Sequence, residues 1–134
     1  MADERVLADT SLFIEHLRAR DKTKTSLYRL TRSAEVETCA IVAAEVFYGA
    51  RNAASEQKAW SVLQPFTIHP FTVEMAARQC TVLPELVRRN RVPDIRDLMI
   101  AVTALEVDAP VATLNPSHFE AIVALAVVDA KADD

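Results

Sequence analysis

The chain has a single glycine, Gly49, in 134 residues. Gly-rich loops that cradle phosphates need several glycines at fixed spacing, so that class of site is excluded. Cysteine is nearly absent too. Cys39 and Cys80 lie in apolar or helical contexts with no paired spacing, so both are expected to be buried, reduced thiols. The three histidines, His16, His69 and His118, are far apart and give no paired metal-ligand spacing. No apolar run is long enough to cross a bilayer. The charged start, Met1-Ala2-Asp3-Glu4-Arg5, leads straight into an apolar stretch and reads as no signal peptide. A cytoplasmic protein without a membrane segment is expected.

A surplus of positive charge is also missing. The formal net charge is −4, which argues against a nucleic-acid enzyme. The distribution qualifies that. Asp3, Glu4, Asp129, Asp133 and Asp134 lie at the ends with Lys131, and residues 5–128 without them hold 14 acids and 14 bases. Bases cluster in two runs: Arg18, Arg20, Lys22 and Lys24, then Arg88, Arg89, Arg91 and Arg96. Either run reads as a solvated face or as the basic edge of an acidic site.

What the chain has is apolar residues, 51% of the total, enough to bury one core; it reads as a single domain over residues 1–134. Val6-Leu7-Ala8 reads as a strand that stops at an acid, Asp9. Asp9, Thr10 and Ser11 are good helix starters, and Leu12, Phe13 and Leu17 then share one helical face. Asp9 would stand at the carboxyl end of a strand, where open α/β sheets bind ligands. It also reads simply as a helix cap.

Lys22 to Arg32 reads as a second helix and Val36 to Cys39 as a strand, with Thr38 able to cap the apolar helix Ala40–Tyr48. Gly49 would relax packing at the end of that helix. Glu45 is the exception in it, because a buried carboxylate must be paired or bind a metal. Arg51 is the nearest candidate for pairing. A third amphipathic helix runs from about Ser55 to Leu63 and carries Trp60, and Phe66 to His69 reads as a strand. Thr72 to Asn90 is a long helix that Pro84 is expected to kink or break. Asp94 to Val107 starts acidic and becomes apolar. Asp94 and Asp97 share its first face, where the helix dipole favours acids; Asp97 is the more deeply placed. Ala101 and Ala104 continue that face with small side chains. Pro110 to Thr113 reads as a strand, Leu114 to Phe119 as a turn into a short helix, and Val127-Val128 as a last strand. Strands alternating with helices argue for a parallel sheet in an α/β domain.

Asp9, Glu45 and Asp97 on three elements, with Thr113 and Asn115 ending a later strand, make a site suited to a hard divalent cation such as Mg²⁺ or Mn²⁺. This set, in this order, resembles the PIN domain, and within it the VapC-type toxins. The resemblance rests on Leu7-Ala8-Asp9-Thr10-Ser11, Thr38 with Ala44-Glu45-Val46 to Gly49, Asp97 through Ala104, and Ala112-Thr113-Leu114-Asn115 with His118-Phe119. It implies a three-layer sandwich, a central parallel sheet in the order 3-2-1-4-5 flanked by helices. It implies a Mg²⁺- or Mn²⁺-dependent endoribonuclease with metal ligands Asp9, Glu45 and Asp97, assisted by Asn115 and supported by Thr10, Ser11, Asp94, Thr113 and His118. It also implies an RNA substrate, a homodimer and a VapB-type antitoxin. Leu12, Phe13, Leu27, Tyr28, Phe47 and Trp60 are candidates for the antitoxin's apolar groove, or for the core. One departure stands out: many family members carry a fourth acid after strand 4, where this chain has Asn115 and His118. Asp94 is available to compensate. A catalytically weak RNA-binding or assembly module, and a PIN nuclease without an antitoxin, are the alternatives.

Overall fold

Five short strands lie side by side in the order β3-β2-β1-β4-β5 in the computed structural model, which describes residues 4–131. They are β1 (Arg5–Ala8), β2 (Glu35–Cys39), β3 (Thr67–His69), β4 (Val111–Thr113) and β5 (Val127–Asp129). Every neighbouring pair is parallel, as the alternation of strands and helices anticipates. Asp3, Asp133 and Asp134 of the acidic ends fall outside the described residues. β1 sits in the middle, and Val6, Leu7 and Ala8 are all buried. That is why it reads as an unbroken apolar run: a central parallel strand is covered on both faces.

Among the described residues six α-helices flank the sheet: α1 (Thr10–Arg18), α2 (Ser26–Thr31), α3 (Ala40–Tyr48), α4 (Ala53–Leu63), α5 (Val73–Arg88) and α6 (Ile95–Val107). Among the described residues none is long and apolar enough to cross a membrane. The core gathers Leu12 and Phe13 of α1, Leu27 of α2, Val42 and Val46 of α3, and Leu98, Ile100 and Val102 of α6. A fully buried side chain of this kind contributes roughly 1.5–3 kcal/mol. Ala101 and Ala104 are wholly buried. Phe119, just past β4, is wholly buried and closes the core from that side.

Several local expectations are corrected. Of the two readings of Leu12, Phe13 and Leu27, the core holds and the groove does not. The stretch 22–32 is not one helix: Lys22–Lys24 is a 3-10 turn, and Thr25 then caps α2 by accepting from the Tyr28 N–H at 3.1 Å. Thr25 also meets His16 Nδ1 at 2.6 Å, and this buried threonine fixes the break. α5 runs through Pro84 without interruption, because the proline stands on the exposed side, where water can satisfy the carbonyl it leaves free. Cys80, on the same outer surface, is exposed; only Cys39 is buried, and burial pushes its thiol up to about 11. Thr38 does not cap α3. Its Oγ1 donates to the Ala8 carbonyl at 2.8 Å and laces β2 to β1, while Cys39 stands at the cap position without a side-chain bond. Gly49 has an ordinary helical backbone, so the sole glycine is not required by a turn. The left-handed positions are Asn90 and Asp108, the latter ending α6.

Candidate functional site

In the order 3-2-1-4-5 the winding reverses between β1 and β4, and residues following those two strands share one edge. Asp9 follows β1 directly. Its N–H donates to the Ala112 carbonyl at 3.0 Å, which fixes it against β4. Oδ1 accepts from the Ser11 N–H at 3.0 Å and the Ser11 hydroxyl at 2.6 Å, and Oδ2 accepts from the Thr113 hydroxyl at 2.7 Å. Ser11 Oγ in turn accepts from the Leu114 N–H at 3.0 Å, and Thr113 Oγ1 from the Asn115 N–H at 2.9 Å. Asp9 is therefore both the cap of α1 and the hub of a hydrogen-bonded lattice joining α1 to the turn after β4. It is 5% exposed. Burial raises its carboxyl above the usual range, and the donors from Ser11 and Thr113 oppose that by favouring the anion.

Glu45 reaches the same place from α3. Thr10 Oγ1 donates to its Oε1, and its Oε2 lies 3.4 Å from Arg96 Nη1. The partner is thus Arg96 and not Arg51. Arg96 also forks onto Asp94, with Nε and Nη2 at 3.2 and 3.4 Å from its two oxygens. Asp94 caps α6 by accepting from the Arg96 N–H at 2.9 Å. The Arg96 bond holds Asp94 below the usual carboxylate range. Asp97, one step further in, is pushed up to about 6. Burial is the main cause, Asp94, Asp9 and Glu45 push the same way, and His118 opposes them. His118 Nδ1 stands 3.5 Å from Asp97 Oδ2.

These groups line a cleft of about 320 Å3: Asp9, Thr10, Ser11, Glu45, Asp94, Arg96, Asp97, Asn115 and His118. Every site residue expected from sequence is among them except Thr113, which is buried behind Asp9. The unforeseen member is Arg96 as the partner of Glu45. The spacing Arg96-Asp97 carried no sign of it, because the contact joins helices 51 positions apart. A larger hollow of about 540 Å3 beside Phe47 and Trp60 gathers no cluster of acids, so the smaller cleft is the candidate site.

The donor set fits a hard cation: four carboxylates and an amide, no thiol, and a carboxyl raised partly by its acidic neighbours. Among the described residues no three acids, histidines or cysteines are gathered tightly enough to grip one ion as they stand. Thr10 and Arg96 hold Glu45, and Ser11 and Thr113 hold Asp9. Four members of the basic runs are committed elsewhere. Lys22 Nζ donates to the carbonyls of His16, Leu17 and Ala19 at the end of α1. Arg88 pairs with Glu85 and Arg91 with Glu120, and Arg89 donates to the Ala121 carbonyl. A second ionic cluster escaped the sequence reading. Arg5 Nε and Nη2 donate to both oxygens of buried Glu37 at 3.1 and 2.9 Å, and His69 Nε2 lies 2.7 Å from Oε1. Only Glu37 of the three is buried; Arg5 stays partly in water.

The PIN domain family matches residues 6–124. Ribonuclease VapC10 of Mycobacterium tuberculosis is 28% identical over 114 residues, 85% of either chain. Among solved structures, VapBC-1 from nontypeable Haemophilus influenzae aligns with a TM-score of 0.81 at 21% identity, covering 95% of this chain and 98% of that one. VapBC2 from Rickettsia felis, solved bound to a DNA fragment from its promoter, aligns at 0.77 and 20% identity, covering 92% and 96%. With its family match spanning most of the chain, this chain belongs to the PIN domain family.

Proposed function

We propose that this chain is a metal-dependent endoribonuclease and the toxin of a VapBC-type toxin–antitoxin pair, working as one domain over residues 1–134. The observation that carries the reading is the meeting of Asp9, just past β1, Glu45 of α3 and Asp97 of α6 in one cleft at the switch point of the sheet. The likeness to Ribonuclease VapC10 supports the nuclease, and the VapBC structures support an antitoxin partner.

Asp9, Glu45 and Asp97 would hold Mg²⁺ or Mn²⁺, which when bound would supply an activated water and offset the charge growing on the phosphate. The chain's own residues prepare the rest. Ser11 and Thr113 favour the Asp9 anion and fix its direction. Thr10 orients Glu45. Asn115 is suited to donate to a phosphate oxygen, and His118, beside Asp97, to move a proton. Arg18 is exposed in a hollow that meets the cleft at Ser11, and suits a flanking phosphate of a single-stranded or looped RNA. Tyr28, Phe47 and Trp60, the last 54% exposed, remain as candidates for the apolar face that meets the antitoxin. A homodimer in the cytoplasm completes the proposal.

A silent RNA-binding or assembly module is the second reading. It is favoured by the lack of a carboxylate after β4 and by the tethering of Glu45 to Arg96. Purified protein should cleave a structured RNA with Mg²⁺ and stop in EDTA. Asp9→Ala, Glu45→Ala and Asp97→Ala should each abolish cleavage and, on expression alone, growth arrest; Asn115→Ala should weaken both less. Cleavage that persists in EDTA sinks the metal-nuclease reading. A wild type inert on every RNA supports the module.

A further inference from the structure

The acid cleft carries a cation of its own. Arg96 lies 3.4 Å from Glu45 Oε2 and forks onto Asp94 at 3.2 and 3.4 Å. Its side chain is 56% exposed, so packing does not anchor it. The other acids differ. Asp9 is held by hydroxyls and a backbone N–H, all neutral. Asp97 has His118 at 3.5 Å. Among the described residues lining the cleft, Arg96 is the one positive charge that no ordinary pH removes. With Thr10 on the other oxygen, both sides of the Glu45 carboxylate are engaged by the chain itself. A guanidinium and a divalent cation draw on the same negative charge and repel each other at this range.

We propose that Arg96 is a positioning residue that competes with the divalent ion for Glu45 and so sets the metal affinity of the cleft. The proposal rests on the metal-nuclease reading above. Arg96 offsets part of the repulsion among Glu45, Asp94 and Asp97. An ion taking Glu45 displaces the guanidinium, which keeps its fork on Asp94. Asp94 is then the anchor of Arg96, not a substitute ligand, and its place as the cap of α6 keeps that anchor fixed.

The test is a titration of Mn²⁺ into the full-length wild type, Arg96→Gln and Arg78→Gln, with free Mn²⁺ read by electron paramagnetic resonance. Arg78 pairs with Glu106 near the other end of α6, so its loss removes the same charge away from the cleft. Circular dichroism and a melting curve confirm the fold of each. Arg96→Gln should bind Mn²⁺ roughly fivefold tighter, a modest gain because an exposed ion pair is largely screened by water. Arg78→Gln should match the wild type. Unchanged or weaker binding by Arg96→Gln, or an equal gain in Arg78→Gln, overturns the role of Arg96 while the metal site stands. Binding by Arg96→Gln but not by the wild type supports it. Failure of both to bind millimolar Mn²⁺ removes the metal reading itself, and this inference with it.

Discussion

Asp97 shows how one residue's neighbours set its charge. Its folded carboxyl titrates at about 6 against an ordinary 3.8, with burial the main cause and the other acids of the cleft adding to it. The sign follows. A carboxyl raised in the folded state binds its proton more tightly there, so its contribution to stability is full below about pH 4 and is lost as pH rises through 6. Without metal, the wild type should therefore lose stability between pH 4 and 6 relative to Asp97→Asn. At pH 7 the variant should be as stable or more so. Urea denaturation of both proteins across that range is the measurement, and a variant weaker at pH 7 assigns Asp97 a structural role. Asp97 was legible in the sequence because an acid beside an apolar run stands out. Arg96 was not, since its value lies in a partner on another helix.

At the scale of elements, the turn after β4 is bound to the start of α1 by two hydroxyls. Thr113 Oγ1 donates to Asp9 and accepts from Asn115, and Ser11 Oγ does the same between Asp9 and Leu114. Thr113→Val keeps the shape and removes the donor, leaving a buried carboxylate oxygen short of a partner. The expected cost is about 1–3 kcal/mol. Mn²⁺ binding should weaken as well, since the Asp9 anion loses support. A variant with normal stability and normal Mn²⁺ binding would show that this bond is idle. Helix boundaries were half legible at this scale. Asn52 and Ser55 form a capping box that starts α4 at Ala53, two residues before the amphipathic pattern places it. Pro84 reads as a break and is none, because propensity says nothing of which side faces water.

Across the whole molecule, the cluster of Arg5, Glu37 and His69 ties β1, β2 and β3 together, and Arg5 also donates to the Val107 carbonyl at the end of α6. The hydrogen bond from Arg5 is the main reason Glu37 titrates below its ordinary value, with His69 adding to it. A depressed carboxyl contributes stability above its unfolded value, near pH 4.5, and loses it as pH falls through the folded value. Glu37→Gln should cost about 1.5 kcal/mol at pH 7, the low end for hydrogen bonds to a charged group, because Arg5 keeps some water. The deficit should shrink on acidification below pH 4.5. Thermal melts at pH 7 and pH 3.5 decide it, and a deficit that stays constant contradicts the ionic account.

The sequence by itself determined the strand order's raw material and the acids. Apolar runs of three or four residues ending in Asp9 or in Thr113-Leu114-Asn115 mark strands whose carboxyl ends carry polar groups, because central parallel strands are buried on both faces. Glu45 and Asp97 announce themselves by interrupting apolar helices. These are local signals, and burial has a fixed period along a chain. Only the tertiary structure decided the pairings. Arg96 with Glu45, Arg5 with Glu37, Thr113 with Asp9 and Thr38 with the Ala8 carbonyl join residues 30 to 104 positions apart. No spacing encodes such contacts. They exist because the sheet brings distant strand ends to one edge, and a charge there takes whatever partner the fold delivers.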